Sequence, residues 1–208
     1  MARRFRSEAI KFAVAPHMPP TAYEGDSFDF VYTIGVLHHL ANPEAGWRVL
    51  LECLRPRGCM RLALYSKIAR RNIIAARRLI ADRGYGQSAD EIRRCRQDFL
   101  NHPDGSPEKE ATRFWDFYSL SDCRDLLFHV QEHQLTLPQI GRFIAENDLE
   151  LIGLEVDGAL QQQYSQQFPN DPAMTNLDNW HVFEEAHPDV FREMYVFWVQ
   201  RKAGKAEP

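Results

Sequence analysis

Between Phe28 and Tyr65 the spacing of apolar positions changes twice. Phe28, Phe30, Val31, Tyr32 and Ile34 form a β-rich run interrupted only by Asp29 and Thr33, which predicts a strand buried on both faces of a parallel sheet. Gly35 ends it, where the backbone is free to turn or to approach a ligand closely. Trp47, Leu50, Leu51 and Leu54 then recur at i, i+3, i+4 and i+7, the single apolar face of a helix laid on a sheet. Asn42 is placed to cap that helix, Pro43 suits its first turn and Glu44 its positive end. Arg55-Pro56-Arg57-Gly58 stops it, and Cys59 to Tyr65 reads as a second strand. A strand, crossover helix and strand of this kind is almost always right-handed, so the loop Gly35 to Leu40 falls at the carboxyl edge of the sheet, where open α/β sheets bind ligands.

Upstream, Ile10 to Ala15 reads as a short strand, followed by a turning loop through Pro16, Pro19 and Pro20 and the lead-in Tyr23 to Asp26. Downstream, Lys67 to Asp82 predicts a basic amphipathic helix broken by Gly84-Tyr85-Gly86. Ser88 with Glu91 predicts a capping box for a second helix ending near Leu100. Asn101 to Lys109 reads as a polar linker, and Ser119 or Ser121 opens a third helix, Asp122 to His133. This block reads as a helical insertion placed over the carboxyl edge of the sheet as a lid. Thr136 caps the next helix with Pro138 in its first turn and Ile140, Phe143 and Ile144 inward, and Leu149 to Val156 is a strand. A glutamine- and proline-rich loop, Gln161 to Met174, a short aromatic helix, Trp180 to Glu185, and a final strand, Tyr195 to Val199, complete the pattern. The division expected is a sheet core over residues 1–66, the insertion over 67–135, the remaining helix and strands over 136–202 and a tail over 203–208.

Composition narrows the function more than the fold. A chain of 208 residues with 44% hydrophobic and 26% charged residues suits one globular core, and a net charge of -4 argues against nucleic acid as a partner. Cys53, Cys59, Cys95 and Cys123 show no CxxC spacing and are expected to be reduced. Neither a signal peptide nor a membrane-spanning run is recognised, so a cytoplasmic location with no membrane partner is expected.

The acidic-aromatic strand start at Asp29, the Gly-Val-Leu-His-His-Leu turn at Gly35 to Leu40 and the Leu-Arg-Pro-Arg-Gly turn at Leu54 to Gly58 together resemble the middle of a class I S-adenosylmethionine-dependent methyltransferase. The segments Ser121 to Ile140 and Asn176 to Lys202 resemble a bacterial type 11/12-like branch of these enzymes, some of which carry tetratricopeptide repeats in front. The resemblance implies an α/β, Rossmann-like class I methyltransferase fold with a helical insertion, whose last strand, Tyr195 to Val199, inserts antiparallel. It also implies that Ile10 to Ala15 is the family's third strand and that the domain is N-terminally incomplete, lacking the glycine-rich cofactor loop. Pro16-His17 stands where an acidic residue near the adenine is common.

On that resemblance the cofactor is S-adenosyl-L-methionine, lined by Thr33, Ile34, Gly35 and Val36, with His38 and His39 as candidate catalytic residues facing an unknown small-molecule or protein acceptor. The alternative for the two histidines is structural, one bonding backbone and the other solvated. Tyr65, Arg124, His129, Glu132 and His133 are candidate substrate-binding residues, with Arg124 available to an anionic group. On a helix from Asp122 to His133, Asp125, His129, Glu132 and His133 would share one polar stripe. His129 to His133 also fits the HxxEH pattern of zinc peptidases, with Glu184, Glu185 or Glu193 as a third ligand, but the pattern is short and no metal is expected. A third reading is a methyltransferase remnant that acts as a binding or oligomerisation module, self-associating through an exposed sheet edge.

Overall fold

A computed structural model of the chain describes residues 28–129 and 131–202. The strand read at Ile10 to Ala15 and the loop after it lie outside the described residues. Strand β1, Phe28–Thr33, helix α1, Pro43–Glu52, and strand β2, Leu54–Ser66, form the expected unit, and β1 pairs parallel to β2. Asn42 caps α1 by accepting from the Ala45 amide at 3.0 Å. Phe28 pairs with Leu54 and Phe30 with Cys59, so the predicted turn at Arg55 to Gly58 survives as a bulge inside one long strand. Arg57 has φ +65°, and a Cβ on Gly58 would lie 2.8 Å from the Arg55 carbonyl, which is why glycine stands there.

The insertion follows as α2, Arg71–Asp82, α3, Ala89–Leu100, α4, Pro107–Ala111, and α5, Leu120–Phe128. The chain returns through β3, Gln134–Leu135, α6, Leu137–Glu146, β4, Leu149–Leu154, α7, Gly158–Gln167, α8, Leu177–Ala186, and β5, Tyr195–Arg201. The order across the sheet is β1-β2-β5-β4, with β3 alongside the end of β2. As the resemblance implied, β5 inserts antiparallel, between β2 and β4. Ser88 and Thr136 cap α3 and α6 where read; the reciprocal capping box forms at Thr136 with Gln139, whereas at Ser88 the hydroxyl accepts from the Glu91 amide.

Two expectations fail here. The loop read at Gln161 to Met174 is helical in its first half, because Asp157 caps α7 and Tyr164 anchors it by stacking on Trp180 at 3.8 Å. The predicted helix to His133 ends at Phe128. His129 turns to ψ 135°, and the Phe128 carbonyl accepts from the Gln87 side chain instead of a following amide.

One face of the sheet carries Met60, Leu62, Leu64, Phe197 and Val199 against α1, α6 and α8, with Trp47 stacked on Phe143 at 4.0 Å. A second core sits inside the insertion around Ile73, Phe99, Phe117 and Leu126. The opposite face of the sheet belongs to neither core, contrary to the expectation of a strand buried on both faces. Phe30 and Tyr32 are 48% and 58% exposed there, Phe30 stacks on Trp198, and Arg61 pairs with Glu155 at 2.6 Å.

Candidate functional site

Two segments meet at the carboxyl edge. The first leaves β1 through Ile34 and Gly35, whose φ of +75° suits glycine and beside which an added Cβ would meet no atom within 4 Å. Thr33 is buried, Val36 is exposed, and a 3-10 turn at Leu37–His39 carries His38 fully inside. The second runs from Gln131 to His133. It is stitched to the first by the His133 amide donating to the His38 carbonyl at 2.8 Å and by the Gln131 side chain donating to the Leu40 carbonyl at 3.0 Å. His39 Nδ1 lies 3.1 Å from the Gln131 carbonyl.

The rings of Tyr65, His38, His39 and His129 form a continuous chain of edge-on and tilted contacts. His38 lies 4.3 Å from both His39 and Tyr65, and His39 lies 4.2 Å from His129. Neither ring nitrogen of His38 has a hydrogen-bond partner among the described residues. Burial lowers its pKa to about 4, reinforced by His39, Arg70 and His129 and opposed by Glu132, so the ring is neutral at ordinary pH. The phenol of Tyr65 is pushed up by burial.

Against this row of rings lies a buried ion cluster. Arg70, 3% exposed, donates from Nη2 and Nε to Glu132 at 2.9 and 3.3 Å and lies over the Tyr65 ring at 3.7 Å. Arg77 donates to the same carboxylate at 2.8 Å and to the Leu126 carbonyl at 2.7 Å. Burial alone would raise the Glu132 carboxyl, but the two guanidinium groups hold it below its usual range. Ser66 is turned inward, donating to Glu184 and accepting from the Ala69 amide, and Tyr195 donates to the other Glu184 oxygen at 2.6 Å. Burial raises the Glu184 carboxyl against those two hydrogen bonds.

In front of Tyr65 is a cavity of about 200 Å³, lined by Ile34, Ala63, Tyr65, Arg70, Phe114, Asp116, Glu193, Met194 and Val196. Of the residues read from sequence, Ile34 and Tyr65 line it. His38, His39, His129 and Glu132 form its backing, and His133 joins through its backbone. Arg124 does not join them: its guanidinium donates to the Gln87 carbonyl at 3.4 Å on the exposed side of α5. Within the HxxEH pattern Glu132 is held by Arg70 and Arg77, and among the described residues no group of three His, Cys, Asp or Glu is arranged to hold a metal. Arg70 and Arg77 were not singled out from sequence. Their spacing of seven, two helical turns, places both on one face of the basic helix and is the signal that could have found them.

A protein-family model described as a methyltransferase domain matches residues 1–62. An uncharacterized protein of Synechococcus is 27% identical over 132 residues, covering 61% of this chain and 32% of the relative. PKMT2 from Rickettsia typhi has a similar structure, with a TM-score of 0.64 at 12% identity over 91% of this chain and 39% of its own. The structure of that protein in complex with AdoHcy gives 0.60 at 12% identity over 88% and 36%. The chain therefore spans between 32% and 39% of the length of these relatives. None of the described helices is long and apolar enough to cross a membrane. The first 62 residues thus match a methyltransferase-domain model, and the fold of the described residues is similar to that of PKMT2.

Proposed function

We propose that this chain supplies the acceptor side of an S-adenosylmethionine-dependent methyltransferase, acting in the cytoplasm on a small-molecule or protein acceptor. The observation that carries the reading is the cavity at the carboxyl edge, directly beside the Gly35 turn, in a chain whose first 62 residues match a methyltransferase domain. The structural neighbour solved with AdoHcy supports the choice of cofactor. Four free cysteines suit a reducing compartment.

The residues present fit part of that cofactor. Gly35 leaves open space for close backbone approach, with Thr33, Ile34 and Val36 beside it. Bound there, the cofactor supplies an electrophilic methyl group on sulfonium. Orientation and exclusion of water then fall to this chain: Tyr65, Phe114 and Val196 wall the acceptor, and Arg70 fixes the Tyr65 ring from behind. His38, neutral and unpartnered, is the group available to accept a proton if the nucleophile carries one and Tyr65 moves aside.

Calorimetric titration of the 208-residue chain with S-adenosylhomocysteine tests this. Saturable binding, weakened by Gly35→Val, is expected; a folded chain that takes up no ligand at millimolar concentration would sink the reading. The open sheet face at Phe30, Tyr32 and Trp198 favours a second reading, a non-catalytic module that associates through that surface, and concentration-dependent sedimentation would register it.

A further inference from the structure

The cavity's lining specifies more than its place. Its volume of about 200 Å³ is below the roughly 300–1,000 Å³ of pockets for drug-sized ligands, so the group it admits is small. Most of its wall is apolar, from Ile34, Ala63, Phe114, Met194 and Val196. The polar feature at its back is Arg70. Two of that guanidinium's nitrogens are taken by Glu132, while Nη1, at the far end, has no acceptor among the described residues. Arg70 and Arg77 share the single Glu132 carboxylate, which leaves one positive charge uncompensated in a buried place. Arg192, over the Phe114 ring at 4.8 Å, adds a further cation close by. Asp116 and Glu193 oppose them, but both are exposed and act through solvent, where their charges are screened.

We infer that the cavity takes a small acceptor bearing a carboxylate, one oxygen of which accepts from Arg70 Nη1 while the apolar body lies against Phe114, Met194 and Val196. A charge-assisted hydrogen bond to guanidinium is stronger than a neutral one. This rests on the cavity being the acceptor pocket of the proposed methyltransferase, yet its test needs no cofactor.

The chain is titrated with pentanoate, pentanamide and pentylamine, read by chemical shifts of the residues lining the cavity. Pentanoate is expected to bind at least about tenfold more tightly than the amide, with the amine weakest. Asp116→Asn with Glu193→Gln, both at exposed positions, is expected to tighten pentanoate severalfold by removing repulsion. Arg70→Met with Glu132→Gln, which removes a balanced pair of charges, is expected to abolish the preference for the acid. If that variant does not fold, the rim variant decides. Pentanoate binding no tighter than its amide, an amine that binds best, or rim variants that weaken the acid would each overturn the inference. Loss of S-adenosylhomocysteine binding with pentanoate binding intact would instead remove the methyltransferase reading and leave the carboxylate site standing.

Discussion

The layer of α1, α6 and α8 on the sheet and the bundle of α2 to α5 each bury their own apolar core, around Trp47 and Phe143 in one and Phe99 and Phe117 in the other. What joins them is polar: Glu132 between Arg70 and Arg77, the row of histidine rings, and the bonds from the Gln131 side chain and the His133 amide to the Leu37 to Leu40 turn. Apolar cores hold each part together without requiring one fixed relation between them, whereas paired buried charges are directional and demand one. The cavity lies where that directional seam meets the sheet, with Tyr65 from β2 on one side and Phe114 from the insertion on the other.

The largest effect is expected at the seam. Glu132→Ala leaves the buried Arg70 and the partly buried Arg77 without their carboxylate and should cost about 3–5 kcal/mol in denaturant unfolding. Amide exchange should quicken across Gln131 to Leu135 and the Leu37 to Leu40 turn before it quickens in β2 or β5; uniform quickening would contradict a separate seam. Phe99→Ala and Phe143→Ala, each costing about 3–4 kcal/mol through the cavity left behind, should separate the two cores. The first should expose amides of α3 and α5 and leave β5 protected, and the second should do the reverse. If both loosen the same set of amides, the two cores are one cooperative unit.

Acid should act on the seam in two windows. His38 has its folded pKa lowered to about 4, so the unfolded chain binds the proton first and stability falls as pH drops from about 6.5 towards 4, by up to about 3 kcal/mol. Glu132, a carboxyl lowered in the folded state, adds its loss below its ordinary range as pH falls through the folded pKa. His38→Asn should flatten the upper window only, and an unchanged slope between pH 6.5 and 5 would show that this ring is not the group responsible.

The sheet side was legible in sequence because its signals are local. Asn42, Thr136 and Ser88 cap where read, and the antiparallel place of the last strand followed from the resemblance. The site was legible in part. The two histidines, Tyr65, His129 and Glu132 do converge, but the continuous helix that would have aligned His129 and Glu132 does not exist. Glu132 instead meets its partners from beyond the end of α5, held by two arginines that local periodicity shows only as part of a basic helix. The open face of β1 was hidden for the opposite reason: Phe30 and Tyr32 have the composition of a buried strand, and only the sheet's layering reveals which side is covered.

Smaller effects mark the limits of the seam. Gly35→Val, placing a branched side chain at φ +75°, should cost about 1–2 kcal/mol of stability and more in ligand affinity, since its surroundings are open. Arg124→Ala, outside both the cavity and the ion cluster, should change stability by less than about 0.5 kcal/mol and leave every binding property unaltered; a larger loss would place that residue in the seam after all.

The most direct test is an amide-resolved titration of the intact chain with S-adenosylhomocysteine. The account predicts saturable shifts that begin at Thr33 to Val36 and extend along the Leu37 to Leu40 turn into Gln131 to Gln134, across the seam that joins the two cores. Shifts confined to the open face around Phe30 and Trp198, or none at all in a folded protein, would contradict it.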